Sequence, residues 1–128
     1  MPVGSAHVAQ VFMVGLGGFI GAVARYGIST LLQGRGAGWP LATLLVNVVG
    51  CLAIGALLGL ARDNPDLSPQ VRSFLVVGLL GSFTTFSTLG HETMQLVEEG
   101  NLGRALVLIL LHLTLGLAAV WIGARATT

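Results

Sequence analysis

Four long apolar stretches, separated by short polar clusters, take up nearly the whole chain. They run from about residue 7 to 32, 40 to 61, 69 to 97 and 102 to 124. A bilayer core of about 30 Å takes about 20 apolar residues wound as a helix, so each stretch is long enough to span it. The clusters between them carry turn chemistry. Gly34-Arg-Gly-Ala-Gly-Trp-Pro40 reads as a glycine-rich loop ending on a proline suited to a first helical turn. Arg62-Asp-Asn-Pro-Asp66 is a turn, and Ser68 before Pro69 reads as an N-cap and first helical position. Glu98-Glu-Gly-Asn101 stops the third stretch.

The third stretch breaks the pattern in its middle. Between Gly78 and Ser87 it holds two glycines, four hydroxyl residues and two phenylalanines. Glycine is entropically costly in a helix, and clustered hydroxyls compete for its backbone bonds. Irregular backbone at membrane depth persists only where protein covers it or where it lines a polar cavity. One reading is a helix break near residues 81–85, placed there for a polar solute. The other is a continuous helix with a small, hydroxylated packing face.

Composition sharpens this picture. The chain of 128 residues is 54% hydrophobic and 9% charged, whereas a soluble domain carries about a quarter charged residues. This is an all-α integral membrane protein of one domain, residues 1–128, with no room for a soluble catalytic unit. The first stretch lacks a basic region before it and a clear cleavage site after it, so it is kept as a membrane helix. The net charge is +1 and no basic cluster points to nucleic acid. No nucleotide loop, metal-ligand spacing or nucleophile triad is present, so no enzyme is expected.

A few isolated residues remain as candidate chemistry. Arg25 lies within the first stretch, either as an interfacial anchor beside Tyr26 or as a functional cation. Asn47 is the strongly polar residue of the second stretch; it pairs with another helix or meets a solute. His91 and Glu92 follow the break, and His112 and Thr114 sit in the fourth stretch. Gly17 with Gly21, and Gly55 with Gly59, have the spacing that lets helices approach closely. Cys51 reads as a small buried hydrophobe.

Orientation is evenly balanced. Alternating loops put Arg62, Arg72 and Arg125 on one side and Arg25, Arg35 and Arg104 on the other. Without a positive-inside bias the chain should insert both ways. Two opposite copies can then pair about an axis in the membrane plane, as inverted repeats do within single chains. Four helices are also too few to enclose a path alone.

The chain resembles the CrcB/Fluc family of fluoride channels along nearly its whole length. The motifs are Gly17-Gly-Phe-Ile-Gly-Ala-Val-Ala-Arg25-Tyr26, Thr43-Leu-Leu-Val-Asn47-Val-Val-Gly50 and, most specific, Gly81-Ser-Phe-Thr84-Thr-Phe86-Ser-Thr88, followed by the acid Glu92. The resemblance implies a dual-topology antiparallel homodimer in the inner (plasma) membrane, with two fluoride pathways and a central structural sodium ion. It implies that backbone carbonyls of Gly81 and Thr84 hold the sodium. It implies that Phe83 and Phe86 supply aromatic rings to the ion path, with Asn47, Thr84 and Ser87 as donors and Arg25 near a vestibule. The chemistry is coherent: hydroxyls and amides offer donors without fixed charge, and ring edges are positively polarised.

The fourth stretch departs from the family pattern. Hydroxyl residues are expected on its pore face; here His112 and Thr114 stand there, with Leu108 and Gly116 nearby. His112 is either a neutral, hydrogen-bonded imidazole or a group that titrates and makes transport pH-sensitive. The function expected is passive export of cytoplasmic fluoride. A small multidrug transporter would need a carboxylate in its first helix, and this one has none. A structural subunit with no transport path accounts for the glycines but not for the broken third helix.

Overall fold

The computed structural model describes residues 3–36 and 38–128, so Ala37 of the predicted loop lies outside them. The described residues are helical and hold no strand. Helix α1 is Val3–Leu32 and α2 is Leu41–Asp63. The third span comes in two pieces: α3, residues 69–83, and α4, Phe86–Glu98. Helix α5 is Leu102–Ala126. Four spans, with α3 and α4 counted as one, are long and apolar enough to cross a membrane.

The helix ends form as their residues dictate. The Ser68 hydroxyl accepts from the Val71 amide at 3.3 Å, and Pro69 takes the first position of α3. After α4, Gly100 turns at φ +77°, Asn101 N–H bonds Leu96 O at 2.8 Å, and Gly100 N–H bonds Val97 O at 3.0 Å. That is the Schellman pattern, and it needs a residue free to adopt positive φ. Two structural details depart from a plain helical reading. Helix α1 begins earlier than residue 7. Residues Ser73–Leu80 of α3 wind as a π-helix, between an α-turn at Pro69–Arg72 and another at Gly81–Phe83.

Packing divides the helices into two close pairs, α1 with α3 and α2 with α5. Glycine makes both approaches possible. A Cβ on Gly17 would strike the Phe74 carbonyl, and one on Gly21 the Leu79 carbonyl. In the second pair, a Cβ on Gly55 would strike the Val120 carbonyl and one on Gly123 the Leu52 carbonyl. Backbone therefore lies on backbone, the small-residue packing that membrane helices use in place of a hydrophobic drive. Helix α4 rests on α5 through buried Leu89, Leu96, Ala105 and Leu108, with Trp39 packed against this cluster. The Arg104 guanidinium covers the Trp39 ring at 4.8 Å.

The third span is broken at Thr84 and Thr85, near the middle of its 30 residues. Thr84 has φ −81° and ψ 156°, and Thr85 has φ −153° and ψ 116°, both extended. Asn47 of α2 holds the gap. Its Oδ1 accepts from Thr85 N–H at 2.8 Å, and its Nδ2 donates to Thr85 O at 3.0 Å. One side chain thus supplies both bonds that a neighbouring strand would supply. The Thr85 hydroxyl then caps α4 by accepting from Thr88 N–H at 3.2 Å. The expected break is present, and Asn47 pairs with another element of the chain.

Three outcomes follow for stability. Gly123→Val should separate α2 from α5, since no side chain can yield to it; overpacking of this kind costs about 1–3 kcal/mol. Gly103→Ala, with nothing within 4 Å of an added Cβ, should leave the melting temperature unchanged or slightly raised. Asn47→Leu should lower thermal stability, because leaving the Thr85 amide and carbonyl unpaired costs about 1–3 kcal/mol for each group. Thermal unfolding in detergent, followed by loss of the monodisperse elution peak, measures all three.

Candidate functional site

The broken helix opens a groove of about 390 Å³ between α2, the two halves of the third span and α5. Asn47, Gly50 and Cys51 form its α2 wall, and His112 and Leu113 its α5 wall. Gly81, Thr84, Thr85, Phe86 and Leu89 line the side made by the break. A second, much smaller cavity of about 30 Å³ is enclosed by Arg25, Ser29, Thr43, Val46, Thr85 and Thr88. Thr85 lines both spaces.

The break redirects backbone bonds in a way that exposes two carbonyls. In an unbroken helix Thr85 N–H would bond Gly81 O, and Thr88 N–H would bond Thr84 O. Here Thr85 N–H goes to Asn47 and Thr88 N–H goes to the Thr85 hydroxyl. Gly81 O and Thr84 O are thereby released from their ordinary helical donors. The Thr84 side chain does not join them: its hydroxyl donates to Leu80 O at 3.0 Å, and its methyl packs on Gly50.

Within one copy the two phenylalanines differ in exposure. Phe83 is 8% exposed and Phe86 is 85% exposed. Phe83 ends the last α-turn before the break and lines a separate space of about 240 Å³ with Ile20, Gly21, Val49 and Gly50. The two extended residues then redirect the chain, so Phe86 emerges at the groove. Leu89, one turn beyond Phe86, shares that groove. Ser87 is exposed, with its hydroxyl 3.2 Å from that of Thr85.

Arg25 is half-buried, its Nε is buried without a hydrogen-bond partner, and the residue lines a space with four hydroxyl residues. Glu92 accepts from the Thr43 hydroxyl at 2.6 Å through Oε1, while Oε2 is buried without a partner. His112 lines the groove, with Nδ1 3.0 Å from Leu108 O and Nε2 buried without a partner. Thr114 is exposed, donates to Leu110 O at 2.7 Å and lines neither space.

Several lining residues escape a reading by residue type. Ser29, Thr43, Thr85 and Thr88 form the hydroxyl cage around Arg25. Thr85 and Thr88 belong to the hydroxyl run at the break, which was a usable signal; Ser29 and Thr43 sit alone on two other helices. Cys51 and Leu89 look like core and line the groove. Among the described residues no group of three or more His, Cys, Asp or Glu is placed to hold a metal ion.

The family model for CrcB-like protein, Camphor Resistance (CrcB), matches residues 12–124. The chain is 45% identical over 116 residues to a protein of Methylobacillus flagellatus named fluoride-specific ion channel FluC, covering 89% of this chain and 91% of that one. It is 46% identical over 117 residues to a protein of Thermus thermophilus with the same name, covering 91% and 93%. With four spans long and apolar enough to cross a membrane and the family model matched over nearly its whole length, the chain belongs to the CrcB-like family.

Proposed function

We propose that this protein is a fluoride-selective passive channel of the plasma membrane, and not an enzyme. One observation carries the proposal within the family: a backbone break at mid-span, tied open by Asn47, that separates an arginine-centred cavity from a groove bearing an exposed phenylalanine. Such a break is tolerated in a membrane where it lines a polar route.

The residues divide the task. Arg25 lines a cage whose size suits one small anion, with a positive charge to attract it and the Ser29 and Thr88 hydroxyls as O–H donors, those of Thr43 and Thr85 being given to Glu92 and Thr88. Thr85 stands between this cage and the groove. In the groove, Phe86 offers a ring whose edge is positively polarised, and Asn47 keeps one amide hydrogen beyond the bond it gives to Thr85. Ser87 adds a hydroxyl beside Thr85. None of these groups in the groove carries fixed charge, so binding stays weak enough for the ion to leave. Phe83, packed away from the groove, supports the break as a wall.

The working unit in this proposal is an antiparallel homodimer with two such routes. Phe86 is nearly fully exposed and the groove is open along one side, so a single copy leaves the route unsealed. A second, inverted copy supplies the missing wall and accords with the even division of arginines. The same arrangement suits a structural sodium ion. Gly81 O and Thr84 O are hard carbonyl ligands freed from helical bonds, and two copies would offer four of them. A sodium ion bound there would supply a fixed positive charge at the junction of the copies.

Liposomes loaded with potassium fluoride and treated with valinomycin should release fluoride rapidly, with no parallel release of chloride, as read by ion-selective electrodes. Phe86→Ala should slow release by roughly tenfold or more while the protein still elutes as a dimer, since it removes one weak site and not the fold. Wild-type vesicles that release no more fluoride than protein-free ones would overturn the proposal. Exchange of sodium for N-methylglucamine should lower the melting temperature of the dimer. An unchanged melting temperature would remove sodium from the account.

A further inference from the structure

A further cavity, of about 270 Å³, lies where α2 of one helix pair faces α3 of the other. Six of its eight lining residues are aliphatic, among them Leu57 and Leu58 from α2 and Leu75 and Val76 from α3. The other two are both arginines, Arg62 and Arg72. They stand ten positions apart in the chain, and the turn between α2 and α3 brings them to one cavity.

The level of these arginines in the fold is informative. Arg62 is in the last turn of α2 and Arg72 in the first turn of α3. Both are therefore at the end of a span, where the chain leaves hydrocarbon and meets lipid headgroups. Both residues are exposed, and among the described residues neither guanidinium holds a hydrogen bond or an ion pair. Asp63 and Asp66 belong to the same turn but do not line the cavity. Leu58 lies one turn deeper than Arg62 and is 42% exposed, so the aliphatic part opens outward from the chain.

We infer that this cavity binds an anionic glycerophospholipid, with its phosphate on Arg62 and Arg72 and part of an acyl chain along Leu57, Leu58, Leu75 and Val76. A guanidinium presents a planar fork of N–H donors that matches phosphate oxygens. Basic pockets between membrane helices are suited to such headgroups. A soluble anion would use the arginines and gain nothing from the aliphatic walls. A zwitterionic lipid would use the walls but bring its own cation beside the two arginines. An anionic lipid uses both parts. Arginines that merely anchor a span reach separately for water and need no shared cavity. The inference does not depend on the fluoride route. Val76 lines both this cavity and the groove, so a bound chain would touch a wall that the two spaces share.

Native mass spectrometry of the purified protein, incubated with equal amounts of phosphatidylglycerol and phosphatidylcholine, tests this. The wild type should retain phosphatidylglycerol in preference by roughly tenfold or more, given two arginines near the membrane surface. Arg62→Gln with Arg72→Gln should abolish that preference. Leu57→Trp fills the cavity while keeping both charges, and should weaken retention. Arg35→Gln with Arg125→Gln removes the same charge elsewhere and should keep the preference. Excess inorganic phosphate should leave the lipid in place. A wild type without preference, a Leu57→Trp that retains as much lipid, or a control pair that loses the preference as fully would overturn the inference. Complete displacement by inorganic phosphate would make this a site for a free anion and would overturn it as well. So would lipid found only on dissociated single chains, since a second copy would then cover the cavity. Should the arginine variant fail to fold, the wild type decides: phosphatidylglycerol with a photoreactive acyl chain should label peptides within residues 57–76. Label spread evenly over the four spans would overturn the inference. Each of these failures leaves the fluoride-release measurement untouched, so the two readings stand or fall separately.

Discussion

A single asparagine makes this architecture possible. Hydrocarbon offers no hydrogen bonds, so two extended residues at mid-span would leave their backbone groups unsatisfied. Asn47 meets that constraint from the neighbouring helix by acting as donor and acceptor to the same residue, Thr85. Three consequences share that origin. The chain can turn between Phe83 and Phe86, so that one ring goes into packing and the other to the groove. The carbonyls of Gly81 and Thr84 lose their helical donors. The hydroxyl of Thr85 becomes free to start a new helix. A hydrophobic residue at position 47 could fill the same space and would undo all three.

The rest of the molecule keeps that joint still. Two helix pairs meet backbone to backbone, with glycines at the contacts, so they have little side-chain slack in which to slide. The break lies between these pairs. Its upstream half, α3, is fastened to α1, and its downstream half, α4, rests on α5. The polar chemistry therefore occurs where the two pairs join, which is also where Asn47 reaches across from α2. Arg25 and Glu92 converge on the same region through Thr43, which lines the arginine cavity and donates to the carboxylate.

Much of this was legible in the residues because membranes impose simple rules. Length and hydropathy place the four spans, Ser68 with Pro69 marks the start of the third, and the cluster from Gly78 to Ser87 marks its break. What could not be read is direction. Phe83 and Phe86 are three residues apart and would share a helical face, but the extended pair between them removes that periodicity. The π-wound stretch from Ser73 to Leu80 has no signature in a run of apolar residues. Thr85 and Thr84 are adjacent and chemically identical, yet one pairs with Asn47 while the other bonds back to Leu80; only the third dimension separates them.

Thr85 forms part of the wall of both the arginine cavity and the groove. On the proposed route an anion would pass from one compartment to the other beside this one residue, so a change at Thr85 would alter both compartments at once.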